Sequence, residues 1–182
     1  IERRRPGGVM SFGIDMNPQR TRLTIGACMR YDDNTAHIEL AEYRDTNHDG
    51  TMWAVNLIDK VWEQTAALVI DGQSPATALL PDLAEAGVTV TVTAATDMGR
   101  ACGRLQDMHR DGTLTHLPEA RQQPLWQAAN KATTRPIGKN GLFGWNRPDD
   151  DTDISPLNAV TLALHGAMTT RRDPTQETET WF

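Results

Sequence analysis

Asp15, Asp71 and Asp153 are the residues of this chain best placed to do chemistry. Asp15 ends the apolar run Ser11-Phe-Gly-Ile-Asp15, and Asp71 ends a second, Ala67-Leu-Val-Ile-Asp71. Asp153 stands just before Ser155-Pro156, a pair that marks a helix start. Carboxylates at two strand ends and a helix entrance can converge on one point although far apart in sequence. Hard divalent cations such as Mg²⁺ take oxygen ligands, and two such ions side by side cleave a phosphodiester by holding the attacking and leaving oxygens. A cation also relieves a pair of buried carboxylates, one of which would otherwise be driven neutral.

Each aspartate has a plainer reading. Asx turns account for an Asp before Asn17-Pro18 or before Gly72, and a helix entrance favours negative charge whatever its use. In the run Asp149-Asp-Asp-Thr-Asp153, part of the charge is expected to be solvated loop. Asp153 is the preferred third ligand and Asp151 the second choice, with Asp149 and Asp150 also in competition.

The elements that must position these residues follow from pattern. Strands are predicted over 11–15, 23–29 and 36–43, joined by turns at Asn17-Pro-Gln19 and Tyr31-Asp-Asp-Asn34, so the three run antiparallel. Trp53, Leu57, Ile58, Val61 and Trp62 recur at helical spacing, giving a helix to about residue 66. The apolar run 68–70 reads as a strand buried on both faces. Ser74-Pro75 opens a helix that stops at Gly87, and Val88, Val90 and Val92 mark a fifth strand. Helices follow over 98–108 and 124–132, with an irregular stretch at 113–122 between them. A small hairpin is predicted within 134–148, and a last helix begins at Ser155 as its cap, with Leu157, Val160, Leu164 and Ala167 on its buried face. This is an α/β order. A strand reached through a crossover helix runs parallel to the first, so Asp15 and Asp71 emerge at one sheet edge, where ligands of such sheets bind.

Composition bounds the rest. With 182 residues, 38% hydrophobic and 23% charged, the chain suits one domain with a real core, 11–168, between a basic linker, 1–10, and a polar, mobile tail, 169–182. Ile1 in place of an initiator Met is the mark of a piece of something longer. No apolar run approaches the roughly 18 residues of a membrane span. Cys28 and Cys102 form no zinc pattern and read as buried thiols in a reducing compartment. The net charge of −6 argues mildly against a nucleic-acid partner. Metal-holding carboxylates inflate that figure, however, and basic residues cluster locally. Arg135, Lys139 and Arg147 flank the hairpin and suit phosphate contact, or plain surface charge. His116 suits proton transfer or phosphate contact, or a structural hydrogen bond. Trp53, Trp62 and Trp126 read as core, Trp145 as more exposed, and Trp181-Phe182 as a docking tail or a mobile end.

Four pieces taken in order resemble the nuclease domain of the tailed-bacteriophage terminase large subunit, over roughly 11–168: Gly13-Ile-Asp-Met-Asn-Pro18, Val69-Ile-Asp-Gly-Gln-Ser-Pro75, His116-Leu117 with Leu125, Ala128 and Ala132 behind, and Asp153-Ile-Ser-Pro-Leu-Asn-Ala159. The resemblance implies a ribonuclease H-like fold with a five-stranded mixed sheet in the order 3-2-1-4-5. It implies two Mg²⁺ or Mn²⁺ ions on Asp15, Asp71 and Asp153, and cleavage of double-stranded concatemeric viral DNA during genome packaging. It implies further partners: a packaging ATPase domain, the portal and the small terminase subunit, in the cytoplasm of an infected bacterium. The chain departs from a full large subunit in lacking a G-x-x-x-x-G-K-[ST] loop: Gly138-Lys139 is followed by Asn140, and position 133 is Thr. ATP hydrolysis is therefore not expected of it. A Holliday-junction resolvase or transposase on the same fold, a sugar-kinase-like nucleotide site, and a non-catalytic module of a packaging motor are the competing readings.

Overall fold

The computed structural model describes residues 7–174. Its strands are β1 (Val9–Met16), β2 (Arg22–Arg30), β3 (Ala36–Asp45), β4 (Ala67–Asp71), β5 (Val90–Thr93), β6 (Leu114–His116), β7 (Thr133–Ile137) and β8 (Leu142–Asn146). Its helices are α1 (Thr46–Asp49), α2 (Met52–Val61), α3 (Leu80–Glu85), α4 (Ala95–Arg110), α5 (Gln123–Lys131) and α6 (Ser155–Thr169). The linker residues 1–6, the tail beyond 174 and Trp181-Phe182 lie outside the described residues.

The main sheet runs β5-β4-β1-β2-β3-β6, and β7 pairs with β8 apart from it. β1, β2 and β3 are antiparallel neighbours, whereas β4 lies parallel to β1 and β5 parallel to β4. The 3-2-1-4-5 order is thus present, with a sixth strand added. β6 lies within the stretch expected to be irregular and pairs parallel with the start of β3, Ala36 opposite Leu114. Three residues, two of them exposed, are too few for periodicity to reveal.

Alternation splits the sheet into two faces. Ile14, Leu23, Ile25, Leu68 and Ile70 pack on one side against Ala54, Val55 and Ile58 of α2 and Leu83 of α3. The other face of β1 and β2 carries Ser11, Gly13, Asp15, Thr24 and Gly26, and α6 lies on it. A Cβ at Gly13 would stand 2.2 Å from the Ala159 carbonyl oxygen, and one at Gly26 would stand 2.5 Å from the Val160 nitrogen. The two glycines let the helix backbone come down onto the sheet. The Ser11 hydroxyl donates to the Ala163 carbonyl across the same contact.

α6 is buried almost all round, from Ser155 to Ala167, and not along a single stripe. Its outer side is covered by Leu125 and Ala128 of α5, by Met98 and Cys102 of α4, and by Trp145 of β8. Trp145 is accordingly not an exposed stacking residue: its indole nitrogen donates to Thr161 of α6 at 3.0 Å. Both cysteines are free and buried.

Candidate active site

One transverse line of polar residues crosses five strands on the α6 face. Thr93 of β5 pairs with Asp71 of β4. Asp71 and Asp15 each follow the last paired position of their strands, Ile14 opposite Ile70, so they stand side by side and point the same way. Asp15 pairs with Thr24 of β2, and Thr24 with Tyr43 of β3. The N-terminus of α6 ends over this line, and Asp153 lies immediately before it. Asp15 and Asp71 end strands that run the same way, so crossover topology brings them together, as the sequence predicts.

Each carboxylate is held. Asn158 Nδ2 donates to Asp15 Oδ2 at 2.9 Å. Thr93 Oγ1 donates to Asp71 Oδ1 at 2.9 Å. Asp153 Oδ2 accepts from the Tyr43 hydroxyl at 2.9 Å, and its Oδ1 accepts from the Ser155 backbone N–H at 2.8 Å. The N-cap position of α6 is therefore Ile154 and not Ser155, a correction to the sequence reading, and the Asp153 carboxylate just before it accepts the first helical N–H. Ser155 is already inside the helix, and its hydroxyl meets Thr24 Oγ1 at 2.9 Å. A Ser-Pro pair signals a helix start, and the residue that satisfies the first free N–H can lie two positions earlier.

Asp15 is only 6% exposed. Burial pushes its carboxyl from the ordinary 3.8 up to about 7, hydrogen bonds from Ser74, Asn158 and the Met16 backbone oppose the rise, and the charge of nearby Asp153 adds to it. Asp71 and Asp153 are half-buried. Among the described residues no three His, Cys, Asp or Glu side chains close round a single point as a ready-made cage. The donor chemistry nonetheless suits Mg²⁺ or Mn²⁺. Mg²⁺ keeps several waters and is held by one or two carboxylates together with substrate phosphates. A buried carboxyl raised by burial and by a like charge is one that a cation would pull back to its ionised form.

No protein-family model and no curated protein sequence matches the chain. Solved structures do. The large terminase of bacteriophage HK97 superposes with a TM-score of 0.61 at 13% identity, over 90% of this chain and 40% of that one. The large terminase of a thermophilic bacteriophage gives 0.60 at 9% identity, over 92% and 41%. A calcium-containing mutant gp2c of the large terminase subunit of bacteriophage Sf6 gives 0.54 at 13% identity, over 87% and 89%. The fold is ribonuclease H-like, the one these large terminases share with this chain over the superposed part. The chain spans about 40% of the length of the HK97 and thermophilic-phage terminases.

The other residues singled out in the sequence scatter on this terminase fold. Asp151 is exposed. Asp149 is occupied in its own loop: its Oδ1 accepts from the backbones of Asp151 and Thr152 and from the Thr152 hydroxyl. Asp150 pairs with Arg147 at 3.4 Å. Arg147 is itself only 27% exposed at its side chain, and its Nη1 is buried without a hydrogen-bond partner. Arg135 and Lys139 are exposed on β7 and on the turn that follows it. His116 is remote from the acidic line. Its ring stands edge-on to Trp126 and beside His109, on a cavity of about 420 Å³ that Leu125 and Leu157 also line. Trp126 is half-buried there, and none of the acidic line borders that cavity. Sequence reasoning does not reach Asn158, Thr93 or Tyr43. Asn158 alone lies within a quoted motif, and nothing in sequence distinguishes it from any polar helix residue.

Proposed function

We propose that the chain is a metal-dependent DNA endonuclease domain that cuts concatemeric viral DNA during genome packaging, with 11–168 as the working unit. The observation that carries this reading is the alignment of Asp15, Asp71 and Asp153 along one edge of a terminase-type sheet. Those three side chains hold two Mg²⁺ or Mn²⁺ ions, a reading also supported by the calcium in the Sf6 relative. When bound, the ions supply a water acidic enough to attack and charge to stabilise the departing oxygen.

The chain's own groups prepare the acidic line. Asn158 fixes which Asp15 oxygen faces the helix, Thr93 orients Asp71, and Tyr43 and the Ser155 N–H orient Asp153. The closed underside of the sheet keeps water from reaching Asp15 from behind. Arg135, Lys139 and Arg147 contact the phosphates of double-stranded DNA, the first two from exposed positions and Arg147 from beside Asp150. An attached packaging ATPase, the portal and the small subunit would deliver and regulate the DNA in the host cytoplasm.

Asp71→Asn and Asp153→Asn test the reading. Each is expected to lower Mn²⁺-dependent plasmid nicking by about 100-fold or more, since weakening even the partners of metal ligands costs 10–100-fold. Undiminished nicking by cleanly purified variants would overturn it. Arg135→Ala with Lys139→Ala is expected to weaken DNA binding equally across sequences. The dependence of log affinity on log salt should become shallower by about 2. An unchanged salt slope would remove these residues from the interface.

That the acidic line is not already closed into a three-ligand cluster among the described residues favours, as a second reading, a non-catalytic module on the same fold. Calorimetric titration with Mn²⁺ separates the two: a saturable site that Asp71→Asn weakens supports the nuclease, and no site supports the module.

A further inference from the structure

β3 does not alternate regularly. Gly26 pairs with Leu40 and Ile25 with Glu42, so Ala41 is an extra residue opposite no partner. This β-bulge shifts the face on which every later residue of β3 stands. Leu40 packs on the α6 side. Without the bulge, Glu42 would share that side and Tyr43 would turn to the other. With it, Tyr43 comes opposite Thr24, in the transverse line, and its hydroxyl reaches Asp153 at 2.9 Å. Glu42 instead pairs with Arg44 at 3.0 Å, away from the line.

The ring is fixed as well as the strand. The Arg22 guanidinium sits 5.5 Å from the Tyr43 ring centroid and pairs with Asp45 at 3.4 Å. Of the acidic run, Asp149 is tied into its own turn and Asp150 to Arg147, and Asp151 is exposed. Asp153 alone is gripped from the sheet.

We propose that Tyr43, presented by the Ala41 bulge, is a positioning residue that selects Asp153 from the 149–153 run as the third metal-holding carboxylate. This rests on the proposal that the acidic line binds divalent cations. With one Asp153 oxygen on the Tyr43 hydroxyl and the other on the Ser155 N–H, the carboxylate plane is fixed and its remaining lone pairs are left for an ion.

The test is Tyr43→Phe, which removes one oxygen and keeps the ring under Arg22. Calorimetric titration with Mn²⁺ is expected to show the dissociation constant raised by about tenfold, with the EDTA unfolding midpoint nearly unchanged. A second measurement leaves the side chain in place. Tyr31 and Tyr43 are the only tyrosines, so biosynthetic 3-fluorotyrosine gives two fluorine resonances, and Tyr43→Phe assigns them. Mg²⁺ is expected to shift the Tyr43 resonance with the midpoint that a parallel calorimetric titration with Mg²⁺ gives. Wild-type affinity in folded Tyr43→Phe, or a Tyr43 resonance blind to saturating Mg²⁺, overturns the role of Tyr43 while the nuclease reading stands. Absence of any saturable metal site in the wild type overturns both.

Discussion

Asp15→Asn is expected to abolish cleavage and, in the same protein without metal, to raise stability at pH 8. The cause is the environment that lifts the Asp15 carboxyl to about 7. In the unfolded chain the group titrates near 3.8, so between that value and about 7 the folded state holds a proton that the unfolded state has released. Stability then falls as pH rises across this window and levels off above it. The contribution is complete below about pH 4 and lost by about pH 8, a swing on the order of 4 kcal/mol at ~1.4 kcal/mol per pH unit. Asparagine carries no such penalty and still accepts the Asn158 hydrogen bond. In EDTA at pH 8 the variant should melt roughly 10 °C above the wild type, with little difference near pH 4. Scanning calorimetry at several pH values checks the stability half, and Mn²⁺ nicking checks the other. A variant that melts below the wild type at pH 8 would show that the site does not strain the Asp15 carboxylate. Saturating Mn²⁺ should reverse the order, because a cation stabilises the wild type, with all three carboxylates, more than a variant that lacks one of them.

Gly13→Ala is expected to destabilise the fold by about 3 kcal/mol or more, at the upper end of the cost of overpacking. Its Cβ would meet backbone, the Ala159 carbonyl oxygen at 2.2 Å and the Ala163 nitrogen at 2.6 Å, and no rotamer change relieves that. α6 must lift, and with it Asn158 and the Ser155 N–H that hold Asp15 and Asp153. Nicking should therefore fall further than the loss of folded protein explains. Gly26→Ala is expected to act alike, through Val160 and Ala159. Because both push the same turn of the helix, the double variant should cost less than the two single effects added. Urea unfolding of the three variants checks this, and full additivity would show that the two contacts are independent.

Much of the architecture is legible in the sequence. Short turns force β1, β2 and β3 antiparallel, and the crossover through α2 turns β4 parallel to β1, so Asp15 and Asp71 must emerge at the same sheet edge; that their strands are direct neighbours is implied by the family resemblance and not by the pattern. What escapes depends on contacts distant in sequence. β6 exists because the start of β3 offers it an edge, and Leu114-Thr-His116 has no pattern of its own. α6 reads as one-sided because its second covering, from α4, α5 and β8, is invisible until those elements dock. Arg147 looks like a free surface cation in sequence but is largely covered and pairs with Asp150 at 3.4 Å. The bulge does leave a trace: Glu39 and Glu42 are three apart in a strand whose apolar residues alternate by two. That misfit is what brings Tyr43, and not Glu42, to Asp153.

α6 comes last among the described elements, yet it is seated at the centre, on the paired glycines and beneath the coverings from α4, α5 and β8. The two ends of the acidic line are thus far apart along the chain: Asp15 and Asp71 stand on strands of its first half, whereas Asp153 and Asn158 stand at the entrance of its last described helix. A chain cut before residue 153 would keep the first pair and lose the second.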